Sequence, residues 1–148
     1  MTVGFNHLGQ LGQLGNQMFQ YAITKSVASK LNVPFKIPNH QNIFDDGIGN
    51  RYTILLFDIF KLESLTYFGF VDTQKYVQEG HFHYDEDIFN ISPQEDFSLW
   101  GFFQSEKYFK NIENDIRDDF KFKDELVSSC SSLIESVDHP IALHIRRG

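Results

Sequence analysis

Two stretches of the chain carry groups suited to holding an anionic ligand. The first is GQLGQLGNQMFQ at positions 9–20, a glycine run that leads into an apolar-periodic segment. Glycines between a strand and a helix let backbone N–H groups approach an anion closely, and the helix N-terminus adds partial positive charge. The run has neither the Gly-Lys-Ser/Thr of a Walker loop nor the spacing of a G-x-G-x-x-G fingerprint. A tight turn in which the glycines serve geometry alone is therefore an equal reading. The second stretch is HIRRG at positions 144–148. Side chains alternate along a strand, so His144 and Arg146 share one face and Arg147 points the other way. A guanidinium offers two parallel charged hydrogen bonds that match a diphosphate. An isolated Arg-Arg pair is more commonly a solvated basic loop.

The elements needed to position these groups can be read from the spacing of apolar residues. Thr2 to Leu8 reads as a strand, and the glycine run after it as a loop. From Asn16 the pattern predicts a helix, with Met18, Phe19, Ala22, Ile23, Val27, Ala28 and Leu31 on one face. Val33 to Pro38 reads as a second strand. Strand, loop, helix, strand is a βαβ unit, the seed of a Rossmann-like parallel sheet in an α/β fold. Asn39 to Asn50 is rich in turn residues and reads as a surface loop. A strand is expected within Glu63–Val71, and further strands between Tyr76 and Phe103. Ser105 is the expected N-cap of a helix with an apolar stripe of Tyr108, Phe109, Ile112, Ile116 and Phe120. A second helix should carry Leu126, Cys130, Leu133 and Val137, with Asp124 in its first turn and Pro140 beyond its end. Ile141 onward is expected to be a strand, with the His144/Arg146 site at its C-terminal end, where ligands of open α/β sheets bind.

Composition narrows the class. Of the 148 residues, 41% are hydrophobic and 16% aromatic, enough for one domain with a sizeable core. The formal net charge of -7 argues against nucleic-acid binding, which needs a basic surface. Cys130 is the only cysteine, so no intrachain disulfide or Cys-based zinc site is readable, and a reducing compartment is the simplest setting. No signal peptide or membrane-length apolar run is visible. The expected location is cytoplasmic, with peripheral membrane association through partners left open.

Three motifs in order, LGNQMFQYA at positions 14–22, GFFQSEKYF at 101–109 and HIRRG at 144–148, resemble glycosyltransferase family 11, the α-1,2-fucosyltransferases. The resemblance implies a GT-B-type fold and an inverting transfer of L-fucose from GDP-fucose to the 2-hydroxyl of a galactose-containing glycan. It implies that Arg146 contacts the GDP diphosphate and that Arg147 supports the site structurally. It also implies that Gly12, Gly15 and Asn16 face the donor phosphates. No metal or other cofactor is expected, because arginine and backbone N–H groups answer the leaving-group charge. The partners implied are GDP-fucose and a galactoside acceptor. The catalytic base is unassigned. His7 and His144 are candidates, and each is equally readable as a structural histidine.

Two features depart from the family pattern. The motif usually continues past the glycine with an acid, whereas Gly148 is the last residue here. Gly-Gln-Leu is also written twice, at 9–11 and 12–14. Residues 1–138 are accordingly expected to form the N-terminal, acceptor-side α/β domain, and 139–148 the first strand and arginine loop of a truncated GDP-fucose-binding domain. On that reading the chain alone is inactive. The alternatives are a noncatalytic sugar- or nucleotide-binding remnant, or a fucosyltransferase with a different acceptor. The histidines and carboxylates of HFHYDED at 81–87 could be a metal site, but read more readily as a solvated acidic loop. Trp100 could stack on an acceptor sugar or simply pack.

Overall fold

Val3, Phe5, Phe97 and Leu99 are all fully buried, and the sheet is built around them. The computed structural model describes residues 1–39, 44–45, 51–62, 68–91 and 94–145. In chain order the elements are β1 (Val3–Gly4), α1 (Leu14–Leu31), β2 (Phe35–Lys36), β3 (Phe44–Asp45), β4 (Arg51–Tyr52) and α2 (Leu56–Ile59). They continue with β5 (Tyr76–Gln78), a 3-10 turn at Glu86–Phe89, β6 (Phe97–Trp100), a 3-10 segment at Glu106–Ile112, α3 (Glu113–Asp119) and α4 (Asp124–Glu135). The main sheet has the order β2-β1-β6-β5, and every neighbouring pair is parallel. The fold is therefore mixed α/β around a four-stranded parallel sheet, as the βαβ reading expects.

Parallel pairing puts the C-terminal ends of all four strands on one edge. β1 pairs Val3 with Phe35 of β2 and with Phe97 of β6, and β5 pairs Tyr76 with Ser98. On one face of the sheet Phe5 meets Phe103 edge-on, with ring centroids 6.4 Å apart. On the other face lie Gly4 and Ser98, and Val71 closes on Gly4. A Cβ there would sit 2.4 Å from Val71 Cγ2, so only glycine fits. Asn6 fixes the same segment, donating through Nδ2 to the Val71 carbonyl at 2.9 Å and accepting the Val71 N–H on Oδ1 at 2.8 Å.

α1 is buried on more than one side. It buries Gln17, Gln20, Thr24 and Ser26 together with Tyr21, Ile23 and Val27. Buried amides and hydroxyls must find partners, and these do apart from the Gln20 Oε1 oxygen. Gln17 donates to the Thr53 carbonyl at 2.9 Å and accepts the Leu55 N–H at 2.8 Å, and Thr24 donates to the Gln20 carbonyl at 2.7 Å. The buried Asp119 carboxylate receives the Tyr21 hydroxyl at 2.8 Å and the Lys25 ammonium, tying α1 to the end of α3. α1 ends at Asn32, whose φ of 53° is left-handed and whose N–H caps the last carbonyls.

Several expectations need correction. α1 begins at Leu14, not Asn16, so Gly15 and Asn16 lie in its first turn instead of in the loop. The segment read as one surface loop from Asn39 contains β3, which pairs antiparallel with β4; the rest of it lies outside the described residues. Most of the strand expected in Glu63–Val71 also lies outside them, with a single parallel bridge from Ile37 to Phe68. Ser105 does cap, accepting the Lys107 N–H, but the helix it starts is 3-10 as far as Ile112 and breaks at Phe109 (φ -133°) before α3. The expected strand from Ile141 is absent over Ile141–Ile145, where Ile141 is 92% exposed and no strand pairs with it. A strand needs a hydrogen-bonded neighbour, and none of the described strands reaches this segment. α4 forms where expected but ends at Glu135, short of Val137, and buries no residue, so Leu126 and Leu133 of its stripe are exposed.

Candidate functional site

The loops that follow β1 and β6 meet at the C-terminal edge of the sheet. Gln20, fully buried in α1, joins them by donating from Nε2 to the Leu11 carbonyl at 3.0 Å and to the Gly101 carbonyl at 3.2 Å. Gln104 then donates from Nε2 to Asn16 Oδ1 at 2.5 Å. Each bond spans more than 80 positions of sequence when it crosses between the loops. The Gln20 Oε1 atom is buried and has no partner among the described residues.

The glycines of the first loop have distinct jobs. Gly12 has φ 100°, and a Cβ there would fall 1.9 Å from Asn16 Nδ2. Gly12 thus allows the chain to turn against the start of α1. Gly15 is helical, exposed, and has open space where a side chain would be. Gln13, the residue before α1, makes no side-chain cap, and the first turn of the helix has no acidic residue. Its first N–H groups are therefore free of the usual side-chain acceptors, which leaves the dipole end open toward an anion.

The second loop is held by Glu79, a residue that spacing did not single out. Its carboxylate, just past β5, accepts the Phe102 N–H at 2.8 Å and the Phe103 N–H at 3.0 Å. Gly101 (φ 152°) and Phe103 (φ 52°) both have backbones that L side chains disfavour. A carboxylate accepting two adjacent amides is what holds this turn, and Phe103, 1% exposed, anchors it in the core. The only sequence signal was an acid at a strand end, which is too common to select.

His7, just past β1, lies edge-on to Trp100 with ring centroids 4.2 Å apart, and 5.5 Å from Tyr76. Its Nδ1 is buried without a partner among the described residues, and burial pushes its pKa below the usual 6.5. The ring is thereby kept neutral at physiological pH. His144, the other candidate base, is exposed in the irregular Ile141–Ile145 segment. Arg146, Arg147 and Gly148 lie outside the described residues.

Other groups singled out by sequence fall elsewhere. His81 and His83 are exposed, and the His83 N–H donates to His81 Nδ1 at 3.3 Å. Among the described residues no three His, Cys, Asp or Glu side chains are grouped as metal ligands. Tyr108 is buried, accepting the Asp85 N–H at 2.9 Å and donating to the His83 carbonyl at 3.2 Å, and burial pushes its pKa up. An apolar cleft of about 480 Å³ runs from Gly15 between α1 and α3, lined by Met18, Phe19, Phe109 and Phe120. On its rim Glu113 sits between Lys110 and Arg117, which hold its carboxyl down to about 2. No described helix is long and apolar enough to cross a membrane.

Comparison with known proteins returns no matching family model, no matching curated protein and no matching solved structure. The likeness to glycosyltransferase family 11 therefore rests on the three motifs alone.

Proposed function

We propose that this chain is the acceptor-side part of a GT-B-type, inverting galactoside α-1,2-fucosyltransferase that uses GDP-fucose. One observation supports the reading most strongly. Two of the three motifs, far apart in sequence, meet at the strand edge where α/β folds bind ligands, and motif residues make the joint: Asn16 with Gln104, and Gln20 with Gly101. Residues of motifs that serve one ligand should converge in space in this way.

In the proposed reaction the 2-hydroxyl oxygen of galactose attacks C1 of fucose. The bond from C1 to the diphosphate oxygen breaks, its electron pair leaves with GDP, and the hydroxyl proton passes to a base. The open N-terminus of α1, reached through the turn at Gly12, and the Arg146 guanidinium would stabilise the charge on GDP without a metal. One well-placed donor of this kind is worth roughly 3–4 kcal/mol of barrier. Neutral His7 is the better-placed proton acceptor of the two histidines, because it stands at the same edge of the sheet.

Calorimetric titration with GDP tests the proposal. Saturable binding that is lost in Arg146→Ala, with ADP much weaker, is the expected result. No heat from a sample that melts cooperatively would remove nucleotide binding from this chain.

A further inference from the structure

The second face of the sheet carries a cluster of three rings that is partly exposed. Tyr76 is the register partner of Ser98, and Gln78 of Trp100, so Tyr76, Ser98 and Trp100 share one face. Tyr76 and Trp100 stand at right angles with centroids 6.4 Å apart, and His7 fills the corner between them. Parallel sheets ordinarily cover both faces. Among the described residues the Val71 segment covers Gly4 and Asn6 on the far face. Beyond it Tyr76 remains 44% exposed and Trp100 half-buried. No described residue accepts from the Trp100 indole N–H or bonds the Tyr76 hydroxyl. His7 Nδ1 is likewise without a partner.

The chemistry of the cluster selects its ligand. A half-buried indole and an exposed phenol at a corner suit a flat apolar patch of about one ring's width. Two polar groups beside it, the indole N–H and the phenol, suit a rim of hydroxyls. A pyranose has both features. In a galactoside the C3, C4 and C5 hydrogens lie together on one side, forming such a patch, with hydroxyls at its edge. Anionic ligands fit poorly, since no cationic side chain belongs to the cluster and a neutral imidazole offers no charge.

We propose that Trp100 and Tyr76, backed by the His7 ring, form a pyranoside-binding subsite that seats the acceptor sugar, with Trp100 as the stacking platform and the Tyr76 hydroxyl as the hydroxyl partner. The choice of a galactoside rests on the fucosyltransferase reading, while the subsite itself rests on the cluster.

Trp100 is the only tryptophan in the chain, so intrinsic emission reports on this place alone. Titration with methyl β-galactoside should give a saturable change in emission with a millimolar-range midpoint, typical of a single sugar held by few contacts. Tyr76→Ala, at a position 44% exposed, should weaken binding about five-fold or more while leaving Trp100 to report it, with a cooperative melt confirming that the variant folds. The proposal is overturned if emission stays flat up to ~100 mM sugar, or if Tyr76→Ala binds as tightly as the parent. GDP calorimetry on the same sample separates the two ideas. GDP binding without a sugar response sinks the subsite alone, and a sugar response without GDP binding sustains the subsite and removes nucleotide binding from this chain.

Discussion

Removing the Glu79 carboxylate should loosen the second loop of the site by a predictable amount. Glu79 accepts two neighbouring backbone N–H groups, from Phe102 at 2.8 Å and Phe103 at 3.0 Å. A hydrogen bond to a charged acceptor contributes about 1.5–3 kcal/mol net when buried, and less here because Glu79 is only half-buried. Glu79→Ala frees both amides and removes what holds Phe103 at φ 52°. Its expected cost is about 2–4 kcal/mol. For a chain of this size that is roughly 6–12 °C of melting temperature. Glu79→Gln keeps the shape and one acceptor oxygen, and should lose about half as much. Circular dichroism melting of the parent and both variants provides the comparison. A Glu79→Ala melt within ~2 °C of the parent would refute the reasoning, because the two amides would then be satisfied equally well by water.

Further outcomes follow from the same geometry. Gly12→Ala places a Cβ 1.9 Å from Asn16 Nδ2 at φ 100° and should lower the melting temperature by several degrees, whereas Gly15→Ala, helical with open space, should raise stability by up to ~1 kcal/mol. Protonated imidazole quenches a neighbouring indole, so Trp100 emission should fall on acidification with a midpoint below the usual 6.5, and the step should vanish in His7→Phe. The matching stability term has a fixed sign. Because burial lowers the folded-state pKa of His7, its contribution is present above the unfolded value of 6.5 and is lost as pH falls through the folded value. Leu133→Ser, at a position 69% exposed on α4, should leave the melting temperature unchanged within ~2 °C; a larger drop would mean that α4 packs.

Elements whose residues answer to local rules were legible in the sequence. The periodicity of Phe19, Ile23 and Val27 gave α1, and Ser105 capped where a serine before a stripe should. Leu126, Leu133 and Val137 gave α4, although amphipathic spacing says nothing of what covers the stripe. The parts that depend on distant partners were not legible. α1 starts two residues early because helical geometry at Leu14 and Gly15 is decided by the turn at Gly12, and that turn by Asn16. Ile141–Ile145 has a strand's composition but no neighbour among the described strands. For the candidate site, the glycine loop and His7 were readable as chemistry. Glu79, which shapes the facing loop, was not, because its role exists only once β5 and β6 lie side by side. Nor could spacing show that Asn16 and Gln104 touch.

The central claim is that the two joined loops present one nucleotide site at the strand edge. Amide NMR spectra of nitrogen-labelled protein titrated with GDP test it most directly. Shifts concentrated at Gly12, Gly15, Asn16, Gln104 and Arg146 are predicted. A folded sample whose amides do not move, or move only around the apolar cleft of Met18, Phe109 and Phe120, would contradict it.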